Sequence, residues 1–183
     1  MMKDVMIDIE TLATSNNALI LTIGAIKWDR KKPLKKKDDL DKFYRRININ
    51  SCKKIGLEIN QETLNWWENQ DEVVRYEALE NNENRVDIKT ALLEFIEWYG
   101  NCKFVWGNGD DFDCVIMTNA FEKCGLSPPW KFWETRYVRT LYDLGGVKNY
   151  MLKKLDCKAH NAIDDCYKQI YGCKFAIKKL GIY

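Results

Sequence analysis

The segment from Asp4 to Ile9 constrains the fold more than any other, because it is an apolar run with a carboxylate set near its end. It alternates too little for a strand with one wet face, and reads as a central strand buried on both sides. Glu10 follows two residues after Asp8, so on a strand the two carboxylates point to the same face. With Val5, Ile7 and Ile9 around them, two such charges are costly to desolvate unless a cation lies between them. The structural alternative leaves Asp8 in water at the strand end and lets Glu10 open a loop.

Beyond this strand, the stretch from Leu19 to Trp28 predicts a second one. The lysine-rich stretch with Pro33 predicts a turn, and Phe43 to Ile49 a third, edge-like strand. Strands joined by a hairpin are antiparallel, so the sheet begins as a meander. Helices are expected from Asn60 to Asn69, from Asp87 to Tyr99, from Asp110 to Lys123, from Thr135 to Leu144 and from Ala162 to Leu180. A short strand is expected from Lys103 to Trp106. In the last helix, Ile163, Cys166, Ile170, Cys173, Ile177 and Leu180 recur at alternating three and four residues and form a core-facing stripe. A chain of 183 residues that is 46% apolar supports one well-buried α/β domain over 1–183 and not two.

No apolar run is long enough to span a membrane, and the N-terminus passes straight into strand-like sequence, so no signal peptide is expected. Seven cysteines without a C-x-x-C pair fit reduced, buried thiols in a cytoplasm. The net charge of +2 is unevenly spread. Lys27 to Lys37 holds seven basic residues against one acid, Lys148, Lys153, Lys154 and Lys158 run up to the lone histidine, and Glu58 to Asp87 is acidic. Basic stretches suit a polyanionic partner; the first run reads equally as a solvated hairpin tip.

Two further motifs carry carboxylates. In G-D-D-F-D, Asp110 and Asp111 are ordinary first-turn helix residues, whereas Asp113 lies between Phe112 and the apolar run Cys114 to Met117. In H-N-A-I-D-D, the helical wheel places Asp165 at the border of the apolar stripe and Asp164 towards solvent, with Gly172 two turns on leaving room for close packing. His160, the single histidine, precedes the helix by about one turn from Asp165. An acidic cluster with one neutral base is the equipment for binding two divalent cations and cutting a phosphodiester with water.

D-I-E-T, F-D and H-x-A-x-x-D, in this order, resemble the three motifs of the DnaQ-like 3′–5′ exonucleases that use four acids and a histidine. The resemblance spans about residues 4 to 180. T-L-N-W-W-E-N-Q, K-F-W and Y-V-R-T are similar to the branch holding the phage exonuclease A and the mycobacterial-type 3′ exoribonuclease. Gly109 departs from the Asn that many members carry four residues before the second-motif Asp, which bears on a phosphate or sugar contact. The resemblance implies an RNase H-like mixed sheet of five strands, the first three antiparallel, flanked by helices. It implies two Mg²⁺ or Mn²⁺ held by Asp8, Glu10, Asp113 and Asp165, with His160 as general base. The backbone at Ile9 and the side chains of Thr11 and Leu12 would hold the terminal sugar and base, and Phe112 or Trp67 would offer a stacking face; Trp67 reads also as core, and Trp66 is unassigned. The implied substrate is the 3′ end of single-stranded RNA or DNA, released as nucleoside 5′-monophosphates. The implied setting is a homodimer in a bacterial cytoplasm, or in a host cytoplasm if phage-encoded. Two rival readings are an RNase H-like module that binds nucleic acid without cleaving it and a metal-dependent nucleotidase.

Overall fold

The computed structural model describes residues 3–80, 82–109, 111–158 and 160–182. Asp110, expected at a helix start, lies outside the described residues. In chain order the elements are β1 (Asp4–Thr11), β2 (Ile20–Trp28), β3 (Asp41–Ile47), α1 (Ile49–Lys54), α2 (Gln61–Glu68), α3 (Glu72–Arg75), β4 (Arg85–Val86) and α4 (Ile88–Tyr99). There follow β5 (Val105–Gly107), α5 (Asp113–Lys123), β6 (Thr135–Tyr137), α6 (Val138–Gly145), α7 (Asn149–Leu152) and α8 (Ala162–Leu180).

The sheet order is β4-β3-β2-β1-β5-β6, with β1 near its centre as the apolar run requires. The β1–β2 and β2–β3 pairs are antiparallel, and β5 lies parallel to β1 on its other side. Six strands form where five were expected. Thr135–Tyr137, assigned from the sequence to the start of a helix, instead pairs parallel with β5, because its β-branched and aromatic side chains sit well on a pleated surface once a partner strand is present. Nor is β3 an edge: Arg46 and Ile47 pair with Arg85 and Val86 of β4. Strand β3 stops at Ile47 because Asn48 caps α1, its side chain accepting from the N–H groups of Asn50 and Ser51.

The two faces of β1 serve different cores. Val5, Ile7 and Ile9 pack with Leu92 and Phe95 of α4 and Met117 and Phe121 of α5. Met6, on the other face, packs with Ile26, Trp28 and the stripe Cys166, Ile170, Cys173 and Ile177 of α8. The stripe ends there, and Leu180 is partly exposed. The thiol of Cys166 donates to the carbonyls of Met6 and Gly24 at 3.5 and 3.6 Å, which seats α8 across β1 and β2. Gly172 gives the close approach its sequence position implies: a Cβ there would stand 2.3 Å from the hydroxyl of Tyr142 on α6. All seven cysteines are free thiols, and no described helix is long and apolar enough to cross a membrane.

Candidate active site

Asp4, Met6, Asp8 and Glu10 share the α8 face of β1. Asp4 is structural: it is buried, pairs with Arg30 at 2.7 Å and accepts from the Trp106 indole at 2.9 Å. Asp8 and Glu10 continue this face past the apolar stripe of α8, where the first turn of that helix crosses β2. Asp165, in that first turn, comes to meet them. Ligand oxygens of Asp8, Glu10 and Asp165 all lie within 4.8 Å of one another. Asp113, at the first position of α5, stands beside this trio with its Oδ1 accepting from the N–H of Ile9 at 3.2 Å. Chain segments from both ends of the sequence thus converge at the carboxyl ends of β1 and β5, the usual place for a ligand in an α/β sheet.

The electrostatics mark the cluster as incomplete without positive charge. Burial, and then the charges of Asp113, Glu10 and Asp165, hold the carboxyl of Asp8 well above the carboxylate range. Burial, Asp165 and Asp113 push Glu10 up to about 8, and burial pushes Asp113 up to about 7 against the backbone donors that favour its charge. Lys168 donates to Asp165 at 2.9 Å and Gln169 Nε2 donates to Asp8 at 2.8 Å. Gln169 Oε1 is buried with no hydrogen-bond partner among the described residues, in a side chain that borders the site. An all-oxygen donor set of this kind fits a hard divalent cation.

A cavity of about 730 Å³ opens over the cluster, with Trp66, Phe112, Arg139 and His160 on its walls. A second, of about 360 Å³, shares Glu10, Trp66 and Phe112 with it and reaches Thr11 and Thr63. His160 has φ 56°, and its ring lies edge to face 4.8 Å from Trp66 and 6.1 Å from Trp67.

Residues 3–176 match the family described as the 3′–5′ exoribonuclease Rv2179c-like domain. The chain belongs to that family. An exodeoxyribonuclease of Enterobacteria phage T4 is 25% identical to it over 206 residues, covering 97% of this chain and 90% of the phage protein. Among solved structures, the zinc-bound complex of E. coli ExoI with single-stranded DNA is similar at a TM-score of 0.68 and 14% identity, over 99% of this chain and 41% of that one. The E. coli Exonuclease I complex with a dT13 oligonucleotide follows at 0.64 and 13%, over 99% of this chain and 42% of that one. This chain therefore spans less than half the length of the E. coli enzyme. This 3′–5′ exonuclease has the RNase H-like nuclease fold, and Asp8, Glu10, Asp113 and Asp165 of this chain meet at the carboxyl ends of β1 and β5.

Several expected substrate contacts are placed differently in this exonuclease. Trp67 takes the core place the sequence also allowed: although it borders the smaller cavity, it is 1% exposed, with its indole N–H donating to the carbonyl of Thr11 at 2.9 Å. The open indole is its neighbour Trp66, 44% exposed. Leu12 is enclosed in the core and borders neither cavity, because the chain turns inward after β1. Asn108, and not only Gly109, borders the larger cavity. Asp164 is buried rather than solvent-facing, covered by the connection between β2 and β3 that the wheel could not foresee. Lys168 and Gln169 were missed, although their spacing of three and four from Asp165 puts them on its side of the helix.

Proposed function

We propose that this exonuclease removes nucleoside 5′-monophosphates from the 3′ end of single-stranded nucleic acid, with Asp8, Glu10, Asp113 and Asp165 holding two Mg²⁺ or Mn²⁺ and His160 acting as the base. The observation that carries this reading is the meeting of Asp8, Glu10 and Asp165 within 4.8 Å, on a cavity that His160 also borders. Bound divalent cations supply a lowered water pKa and neutralise charge developing on the departing oxygen. An imidazole nitrogen of His160 takes up the proton of the attacking water, which requires the neutral ring. Gln169 orients the Asp8 carboxylate, as partners behind a metal ligand commonly do.

Trp66 and Phe112 flank the passage between the two cavities and suit an unpaired base, since stacking on an indole demands little sequence. The hydroxyl proton of Thr11 is committed to the carbonyl of Ala13 at 2.7 Å, so its oxygen is left to accept from a terminal sugar hydroxyl. The E. coli ExoI complexes hold single-stranded DNA, which agrees with a single-strand substrate here. The family description names an exoribonuclease and the phage relative an exodeoxyribonuclease, which supports RNA and DNA alike as substrates. A single domain over 1–183, working as a cytoplasmic homodimer, completes the reading.

The test is a time course on 5′-labelled RNA and DNA oligomers with and without Mn²⁺. Stepwise shortening from the 3′ end is expected, and its loss in purified, folded Asp8→Ala and Asp165→Ala. Full activity in either variant removes the assignment, and binding without shortening would make the protein a nucleic-acid-binding module.

A further inference from the structure

Two side chains of α8 grip the backbone of Lys158, two residues before His160. Asp164 Oδ2 accepts from the Lys158 N–H at 2.7 Å, and Lys168 Nζ donates to the Lys158 carbonyl at 3.3 Å. The other oxygen of Asp164 takes the ammonium of Lys37 at 2.6 Å. The N–H of Asp164 donates to the capping side chain of Asn161 at 3.1 Å. One carboxylate, 7% exposed, therefore ties together the connection between β2 and β3, the segment leading to His160, and the start of α8.

Lys37 does not reach Asp164 from a loose loop. Lys174 Nζ donates to the carbonyls of Asp29 and Lys32, and the Tyr167 hydroxyl donates to the carbonyl of Lys35 at 3.4 Å, so the basic connection lies docked along α8. The hydrogen bond to Asp164 also holds the Lys37 ammonium above its usual range. His160, meanwhile, has φ 56°. A non-glycine residue in the left-handed region is strained and persists only where its surroundings enforce it. Trp66 packs against the ring of His160, and the Lys37–Asp164 pair holds the backbone of Lys158, two residues before it.

We propose that Lys37 and Asp164 are positioning residues, which fix the turn presenting His160 to the carboxylates without touching substrate. This rests on the reading of His160 as the base. Misplacing a reacting group by about 1 Å costs up to roughly a hundredfold in rate, so Lys37→Met should lower kcat between about tenfold and a hundredfold. KM for the oligomer and the calorimetric affinity for Mn²⁺ should stay within about twofold, because this variant leaves the four carboxylates in place. Lys37→Arg should restore most of the rate.

The decisive comparison repeats Lys37→Met in a His160→Ala background, with hydrogen exchange of the amides over 156–161 followed in the metal-free proteins. Faster exchange, together with no further loss of kcat once His160 is gone, is the expected pair of results. Unchanged exchange, an unchanged kcat, or an equal loss in both backgrounds overturns the proposal. Asp164→Ala should repeat the pattern; if it fails to fold, Lys37→Met, at a partly exposed side chain, still decides. Full activity of His160→Ala alone would overturn the base assignment, and the exchange data would still show separately whether the clamp exists.

Discussion

Gly24 lies opposite Asp8 in the β1–β2 ladder, and a Cβ on it would stand 2.5 Å from the Cβ of Ala162 and 2.8 Å from its carbonyl carbon. The first turn of α8 thus rests on bare backbone, and this contact sets how near Asp165 comes to Asp8 and Glu10. Gly24→Ala must push the helix start away. Overpacking of this kind costs about 1–3 kcal/mol. For a chain this long each kcal/mol lowers Tm by roughly 2–4 °C. The rate should fall well beyond what the unfolded fraction explains when assayed far below Tm. A wild-type kcat in the folded variant would mean that the α8 terminus moves without disturbing the cluster.

The protonation of the cluster makes the stability of the metal-free protein fall with pH. Glu10, pushed up to about 8, and Asp113, pushed up to about 7, are raised in the folded state. In the unfolded chain both ionise near 4, so between about pH 4 and 8 the folded protein binds more protons. Their contribution is complete below the unfolded value and is lost as pH rises through the folded ones. Melting in EDTA should therefore give a lower Tm at about pH 8.5 than at about pH 6, with a smaller difference in Glu10→Gln. Saturating Mn²⁺ should stabilise more at the higher pH, because metal and protons compete for the same oxygens. A metal-free Tm that is flat or rises over this range would contradict the buried, mutually repelling arrangement.

Asp8→Asn should separate stability from function. The substitution removes a carboxyl whose charged form burial and three neighbouring carboxylates disfavour, and the amide oxygen still accepts from Gln169. The metal-free variant should melt higher than wild type at about pH 8, the stability gain typical of relieving a strained active site. It should also be inactive and should lose the stabilisation by Mn²⁺. A lower Tm in EDTA would show that the Asp8 charge is compensated by the protein itself.

What the sequence conveyed was mostly local and periodic. The apolar run around Asp8 announced a central strand, and the stripe from Cys166 to Ile177 announced a helix whose bounds the structure reproduces at Ala162–Leu180. The three motifs pointed to residues that do converge on one cavity, because strand and helix periodicity fix which face a carboxylate takes. Strand β6 was illegible, since three residues acquire strand character only when β5 is beside them. The burial of Asp164 depended on Lys37, 127 positions away, and no wheel drawn for α8 alone contains that partner. Trp66 and Trp67 are adjacent on α2; helical spacing already allowed Trp67 a core place, and its indole hydrogen bond to the carbonyl of Thr11 fixes it there while Trp66 stays open.

That division of labour between adjacent tryptophans is open to direct measurement. Trp67 is fully enclosed, so Trp67→Ala should cost about 3–5 kcal/mol through the cavity it leaves, with loss of activity following loss of fold. Trp66 is 44% exposed and borders both cavities, so Trp66→Ala should leave Tm nearly unchanged. If a terminal base stacks on Trp66, its loss weakens binding by about 1–3 kcal/mol, which raises KM for an oligomer from roughly fivefold to over a hundredfold. Because the same indole packs against His160, kcat should fall as well. Steady-state kinetics on an oligomer beside thermal melts of both variants decide the matter: an unchanged KM in Trp66→Ala would remove the stacking role and leave this side chain only its contact with the histidine ring.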